Sequence, residues 1–355
     1  MTAKYAPTPP ATVQRLAHAL RTFVPLVGAL CVTTVAEAHH SRALYDTTKE
    51  IVIEGTVAEL EWRNPHVSLT VETKSADGTT VRRDIEVMSV SEARALGLRP
   101  EAIAVGSRVV VRAHPGRSGP TARAVGLTVR TSDGTVLPLN TDSHLTLAPT
   151  ASVEAQSLAG RWAPSLEDFG ATFNATFRWP FTENARGALA AAISEPNAAL
   201  GICADFPPPL LSVFPDLREI EIGDSTITMR FEAQGQDVTR VIHLDQAQHP
   251  ANVAPSLLGH SIGRWEGQTL VVDTIAFAPH PIGIGIAVPS GPSKHLVERF
   301  ALAADRRHLR YDLTIEDPAG LTAPASLSSQ WEYRPDLEPS GVPCDPEMAR
   351  RLLER

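Results

Sequence analysis

Cysteine, aromatic residues and basic clusters are all scarce in this chain of 355 residues. Three cysteines at scattered positions make no zinc-type cluster, and no glycine-rich phosphate loop is present. Acidic residues outnumber basic ones, 40 to 32, and no basic block interrupts them. That balance argues against nucleic acid and against anionic membrane surfaces. Beyond the first forty residues no apolar run is long enough to cross a bilayer. Against these shortages stand 29 prolines and 23 glycines in a chain that is 43% hydrophobic but only 5% aromatic. This mixture favours many short strands joined by turns over long helices, in a chain long enough for two domains.

The start of the chain has the order of an export signal: Arg15 and Arg21, an apolar run from Phe23 to Ala36, then small residues at Ala36 and Ala38. The run is short for a membrane span and ends in an Ala-x-Ala cleavage pattern, so residues 1–38 are expected to be removed and the protein to be periplasmic or secreted. The alternative is an uncleaved anchor helix. Cys31 follows Leu30, where lipoprotein processing needs a small residue. Its loss with the leader leaves Cys203 and Cys344, read as a disulfide in an oxidising compartment, the other reading being two buried thiols.

From Glu50 to Arg130, alternation and turn residues predict strands at Ile51–Trp62, Val67–Thr73, Val81–Met88, Arg108–His114 and Arg123–Thr131, with a helix over Ser89–Leu98 between the third and fourth. Ser91 is the expected cap and Gly97 the stop. The order β-β-β-α-β-β is that of a five-stranded OB-type barrel over residues 39–139. Residues 140–157, polar and aperiodic, read as a linker. Residues 158–355 hold one short helical segment around Asn184 and eight strand-like runs between Arg218 and Arg334. These predict an antiparallel barrel, with a two-sheet sandwich as the alternative. Gly160-x-Trp162 is faintly like the first strand of lipocalins.

His39-His40-Ser41, Tyr45-Asp46, Gly55-Thr56-Val57, Trp62 and Asn64-Pro65-His66 resemble a widespread family of exported bacterial proteins of unknown function. The resemblance covers roughly Ala38 to Leu139. The second half is similar to another uncharacterised group through Gly259–Glu266, Leu270–Thr274, His295–Phe300 and Glu316–Pro318. What these resemblances imply is export and architecture, with no reaction attached.

Two constellations carry chemistry. Cleavage after Ala38 would give His39 a free amino group beside its imidazole, and with His40 or His66 these nitrogens make the tetragonal set that suits copper(II). The bland reading is a solvated terminus and a hydrogen-bonded loop histidine. On the strand from His260 to Glu266, His260, Arg264 and Glu266 share one face and Ser261 and Trp265 the other. On a later strand His295 and Arg299 share a face opposite Glu298. If the rows converge at a barrel mouth, His260 or His295 would act as acid or base, oriented by Glu266. Arg264 and Arg299 would then hold an anionic group, with Trp265 and Asp273 as further ligand contacts. The competing reading is cross-strand salt bridges on a solvated face. Glu316 and Asp317 precede turns and are read as backbone anchors. Ser261 lies in Gly-x-Ser-x-Gly, but on a continuing strand, which is not a nucleophile elbow. Three functions are therefore expected in order. The first is binding of a small, largely apolar ligand inside the C-terminal barrel. The second is an enzyme acting on a hydrophobic small molecule, and the third a copper-handling protein.

Overall fold

The computed structural model describes residues 44–353 apart from 120, 142, 144–152, 165 and 195–202. The expected leader, the expected copper ligands His39 and His40, and most of the expected linker lie outside the described residues. What is described is mainly β, organised around two barrels.

The first barrel is built from β1 (Ile51–Glu61), β2 (Ser68–Lys74), β3 (Thr80–Glu86), β4 (Arg108–His114) and β5 (Ala124–Thr131). β1 pairs with β2 and β4, β2 with β3, β4 with β5, and a parallel β3–β5 contact closes the ring. This is the closure the element order predicts. A short β6 (Val136–Pro138), absent from the sequence reading, adds to the outside of β5. Gly55 is required in β1, since a Cβ there would sit 2.1 Å from the Glu72 carbonyl oxygen across the ladder. The helix α1 (Val90–Ala95) is capped by Ser89, not by Ser91 as expected. The Ser89 hydroxyl accepts from Glu92 N and the Glu92 carboxylate accepts from Ser89 N, a reciprocal capping box. Ser91 instead accepts from Leu217 N of the second barrel.

The second barrel closes through β7 (Gly160–Pro164), β8 (Arg218–Ile222), β9 (Thr226–Ala233), β10 (Gln236–His243), β11 (His260–Glu266), β12 (Thr269–Ile275), β15 (His295–Leu302), β16 (His308–Glu316) and β17 (Ala325–Tyr333). It has nine strands where eight were expected. The extra one is β7, a five-residue strand too short to show a period, which pairs with both β8 and β17. The sandwich alternative falls because the sheet closes on itself. β10 and β11 pair parallel, not antiparallel, through Ile242↔Ser261 and His243↔Ile262 only. The segment 244–259 between them carries the chain back so that both strands run in one direction. A small hairpin, β13 (His280–Gly285) with β14 (Val288–Ser290), lies outside the barrel sheet. Helices α2 (Leu166–Thr176), α3 (Glu183–Ser194), α4 (Leu210–Val213) and α5 (Pro346–Leu353), with a 3-10 turn at Pro100–Ile103, complete the described elements.

Alternation sends Trp162, Ile220, Met229, Ile242, Leu270, Val272, Leu296, Phe300, Tyr311 and Trp331 inward, all essentially buried. The few aromatics are concentrated here. Tyr311 stacks on Trp331 at 5.0 Å, Phe300 packs edge-on to Trp331 at 5.7 Å, and the Arg218 guanidinium lies 4.1 Å over the Trp331 ring. Each such ring removed from water contributes about 2–3 kcal/mol. The lumen is therefore filled by side chains.

Candidate functional site

Glu298 faces the lumen between Leu296 and Phe300 and is 0% exposed. Arg240 enters from β10, donating from Nη1 to Glu298 Oε1 (3.1 Å) and from Nη2 to Glu298 Oε2 (2.5 Å). It donates further to Ser261 Oγ (3.1 Å) and Thr274 Oγ1 (2.8 Å), while Tyr311 Oη donates to Glu298 Oε1 (2.9 Å). Every charged donor and acceptor in this knot has a partner, as a buried ion pair must. The Ser261 hydroxyl is thereby committed to Arg240 and Thr274.

On the opposite side of the same strands a histidine cluster forms. Asp273 on β12 points outward and accepts from His295 Nε2 on Oδ2 and from His249 Nε2 on Oδ1, each at 2.9 Å. His249 Nδ1 lies 2.8 Å from His260 Nδ1, and the His260 ring stacks on His243 with centroids 5.1 Å apart and planes at 15°. Burial would raise the Asp273 carboxyl, but the hydrogen bonds from the two histidines outweigh it and hold it below the usual range. His260 is pushed below its ordinary value, first by desolvation and then by the charges His249 and His243 would carry.

His260 also lines a cavity of about 420 Å³ at the seam where β10 and β11 barely pair. Its walls are Val241, Leu257, Leu258 and Gly259, with Arg240 and Ser261 from the lumen knot and His243, Ser256 and His260 as the remaining polar groups. Its volume lies in the range of small-molecule sites, and it opens broadly to solvent.

The expected constellation is thus rearranged. His260, Asp273 and His295 come together. Glu266 does not join them: it lies at the far end of β11, accepting from Arg264 Nη2 (2.8 Å) and Arg299 Nη2 (2.5 Å) on an exposed surface. Five residues of extended strand lie between it and His260. The two arginines hold Glu266 instead of a ligand, as the solvated-face reading anticipates. Trp265 is 44% exposed, away from the cavity lining. The acid that orients the histidines is Asp273. His243 and His249 escaped the sequence reading, His249 because it sits in an aperiodic stretch before Pro250. The available signal was numerical: His243, His249 and His260 fall within eighteen residues of a chain with twelve histidines.

In the first barrel, His66 Nδ1 lies 3.0 Å from the Val87 carbonyl oxygen and Nε2 lies 4.0 Å from Glu86 Oε1, to whose other oxygen Tyr45 donates at 2.7 Å. Among the described residues no three His, Cys, Asp or Glu side chains converge as metal ligands. Asn64, which precedes His66 across a cis peptide to Pro65, spans the two barrels. Its amide donates to the Val342 carbonyl (2.7 Å) and accepts from Val90 N (3.0 Å). Cys203 and Cys344 form a disulfide with Cα atoms 5.8 Å apart. Asp317 accepts from Gly291 N and Ala319 N, the backbone role expected of it.

Residues 28–126 match a family of unknown function, DUF6152, a span that ends within β5. The match covers less than half of the chain and bears on the first barrel alone. No curated protein matches the sequence.

Proposed function

We propose that this is an exported protein whose second barrel binds a small, largely apolar molecule in the seam cleft beside His260, not in the lumen. One observation carries the reading. The lumen is filled by Trp162, Trp331, Tyr311 and the Arg240–Glu298 knot, whereas the seam holds a cavity of about 420 Å³ walled by Val241, Leu257 and Leu258. Export is supported by the leader pattern and by the Cys203–Cys344 bridge, which an oxidising compartment favours.

A neutral apolar fluorophore, N-phenyl-1-naphthylamine, tests the cleft. The full chain is expected to enhance its emission. Ser256→Trp, at an exposed position on the cleft wall, should fill the space and abolish the enhancement while circular dichroism stays unchanged. Leu258→Arg should do the same by placing a cation in the wall. Equal enhancement by both folded variants would overturn the proposal. The Asp273–His249–His260 chain favours a second reading, proton-transfer catalysis at this same cleft.

A further inference from the structure

The tautomers of the cluster follow from its acceptors. Asp273 is ionised, so the atoms facing it, His249 Nε2 and His295 Nε2, carry hydrogens. The 2.8 Å contact between His249 Nδ1 and His260 Nδ1 holds one hydrogen between the two rings, and in the form that carries it on His260 the Nδ1 of His249 is bare. His260 Nε2 is left as a lone pair with no hydrogen-bond partner among the described residues, on a ring that lines the cleft.

We infer that Asp273, His249 and His260 form a proton relay, and that the cleft takes an apolar molecule bearing a weakly acidic hydroxyl, a phenol, whose proton passes to His260 Nε2. This rests on the cleft reading above. The step balances. The ligand O–H bond breaks as Nε2–H forms, and His260 Nδ1 hands its hydrogen to His249 Nδ1. The products are a phenolate, a neutral His260 in its other tautomer, and a His249 imidazolium against the Asp273 carboxylate. The new positive charge thus comes to rest one residue away from the cleft, beside a fixed negative one.

Other ligand classes fit less well. A carboxylic acid arrives already ionised and needs a donor, but Arg240 commits four hydrogen bonds to Glu298, Ser261 and Thr274. An amine arrives as a cation against apolar walls, and an aliphatic alcohol is too weak an acid for imidazole. The charged and titratable groups around His260 are His243 from β10, His249 from the connecting segment, Asp273 from β12, His295 from β15 and Arg240 beneath. Asp273 is the carboxylate bonded to this cluster, whereas Glu298 is committed to Arg240 in the lumen.

The probe is 4-nitrophenol, whose ionised form has its own visible absorption. With saturating full-length protein, the midpoint of its ionisation should move at least about tenfold in proton concentration toward acid, relative to free probe. Asp273→Asn and His249→Phe should still bind the neutral probe, measured by equilibrium dialysis well below its ionisation midpoint, and lose the displacement. A probe that binds with no displacement in the parent protein overturns the relay and leaves the cleft standing. So does a displacement that persists in Asp273→Asn. Failure of 4-nitrophenol to compete with the naphthylamine overturns the phenol assignment. Failure of the naphthylamine itself to bind overturns the cleft, and this inference with it.

Discussion

Replacing Glu298 by Gln leaves the Arg240 guanidinium inside the barrel without its counter-charge. The pair is 1% and 0% exposed, and Glu298 accepts three hydrogen bonds, two from Arg240 and one from Tyr311. Water cannot replace the lost charge in so closed a site, so the variant should lose about 3–5 kcal/mol, the usual cost of orphaning one member of a buried ion pair. With a urea slope of about 3 kcal/mol/M for a protein of this size, the midpoint should fall by roughly 1 to 1.7 M. Fluorescence of the buried Trp162 and Trp331 reports the transition. The double variant Arg240→Met, Glu298→Leu removes both charges at similar volume, and Ser261 and Thr274 keep each other at 3.0 Å. It should recover to within about 1–2 kcal/mol of the parent. If Glu298→Gln costs under about 1 kcal/mol, or the double variant is no better than the single one, the pair is not the electrostatic centre of the lumen and the reasoning fails.

Removing the disulfide by Cys203→Ser and Cys344→Ser frees a loop spanning 141 residues, which chain entropy sets at about 5 kcal/mol of lost stability; urea titration of the double variant measures it. Gly235→Ala should destabilise by about 2 kcal/mol or more and loosen the C-terminal tail toward proteolysis. Its φ is +86° and its Cβ would meet Cys344 N at 2.6 Å and Asn64 Nδ2 at 2.7 Å. Lys294 is buried, donating to the Pro208 and Gly283 carbonyls at 2.8 Å, and burial pushes its ammonium down to about 7. Between that value and the ordinary lysine range the unfolded chain holds a proton that the folded protein has released, so stability rises with pH there. From pH 7 to 9 the gain is about 2 kcal/mol, and Lys294→Met should flatten that part of the pH profile of urea midpoints.

Where local pattern decides structure, the chain could be read. β4 was placed at Arg108–His114 and β12 at Thr269–Ile275 from alternation alone, and the five-strand closure followed from element order. What escaped was set by tertiary contacts. β7 is stabilised by strands more than fifty residues away on either side. Ser91 looked like a cap because its hydroxyl was judged within its own helix, but its partner is Leu217 in the other barrel. Glu266 was joined to His260 because both face one side of β11. Parity is correct there and distance is not, since shared facing does not bring together groups at opposite ends of a strand. A better sign was in plain view: Glu298 stands on the apolar face of β15, where a charge persists only with a buried partner.

The Asn64-Pro65-His66 motif also takes part in the contact between the first barrel and the C-terminal tail. In the folded chain Asn64 is bonded to the tail that leaves the second barrel: Val342 accepts from its side chain, and its carbonyl accepts from Asp345 N at 2.9 Å. Arg63 pairs with Asp345, and Arg351 of α5 with Glu61 of β1. The same tail is covalently held at Cys344, whose N–H donates to Gly235 between β9 and β10. One short segment therefore carries a disulfide to the second barrel and a hydrogen-bonded docking site on the first. Losing the bridge frees the tail from the 203 segment, but the Asn64 contacts remain to hold it. Losing Asn64 leaves the bridge but removes both side-chain bonds and orphans Val90 N at the start of α1. The amide of Asn64 is thus one of the contacts that couple the two barrels, beside the Ser91–Leu217 hydrogen bond.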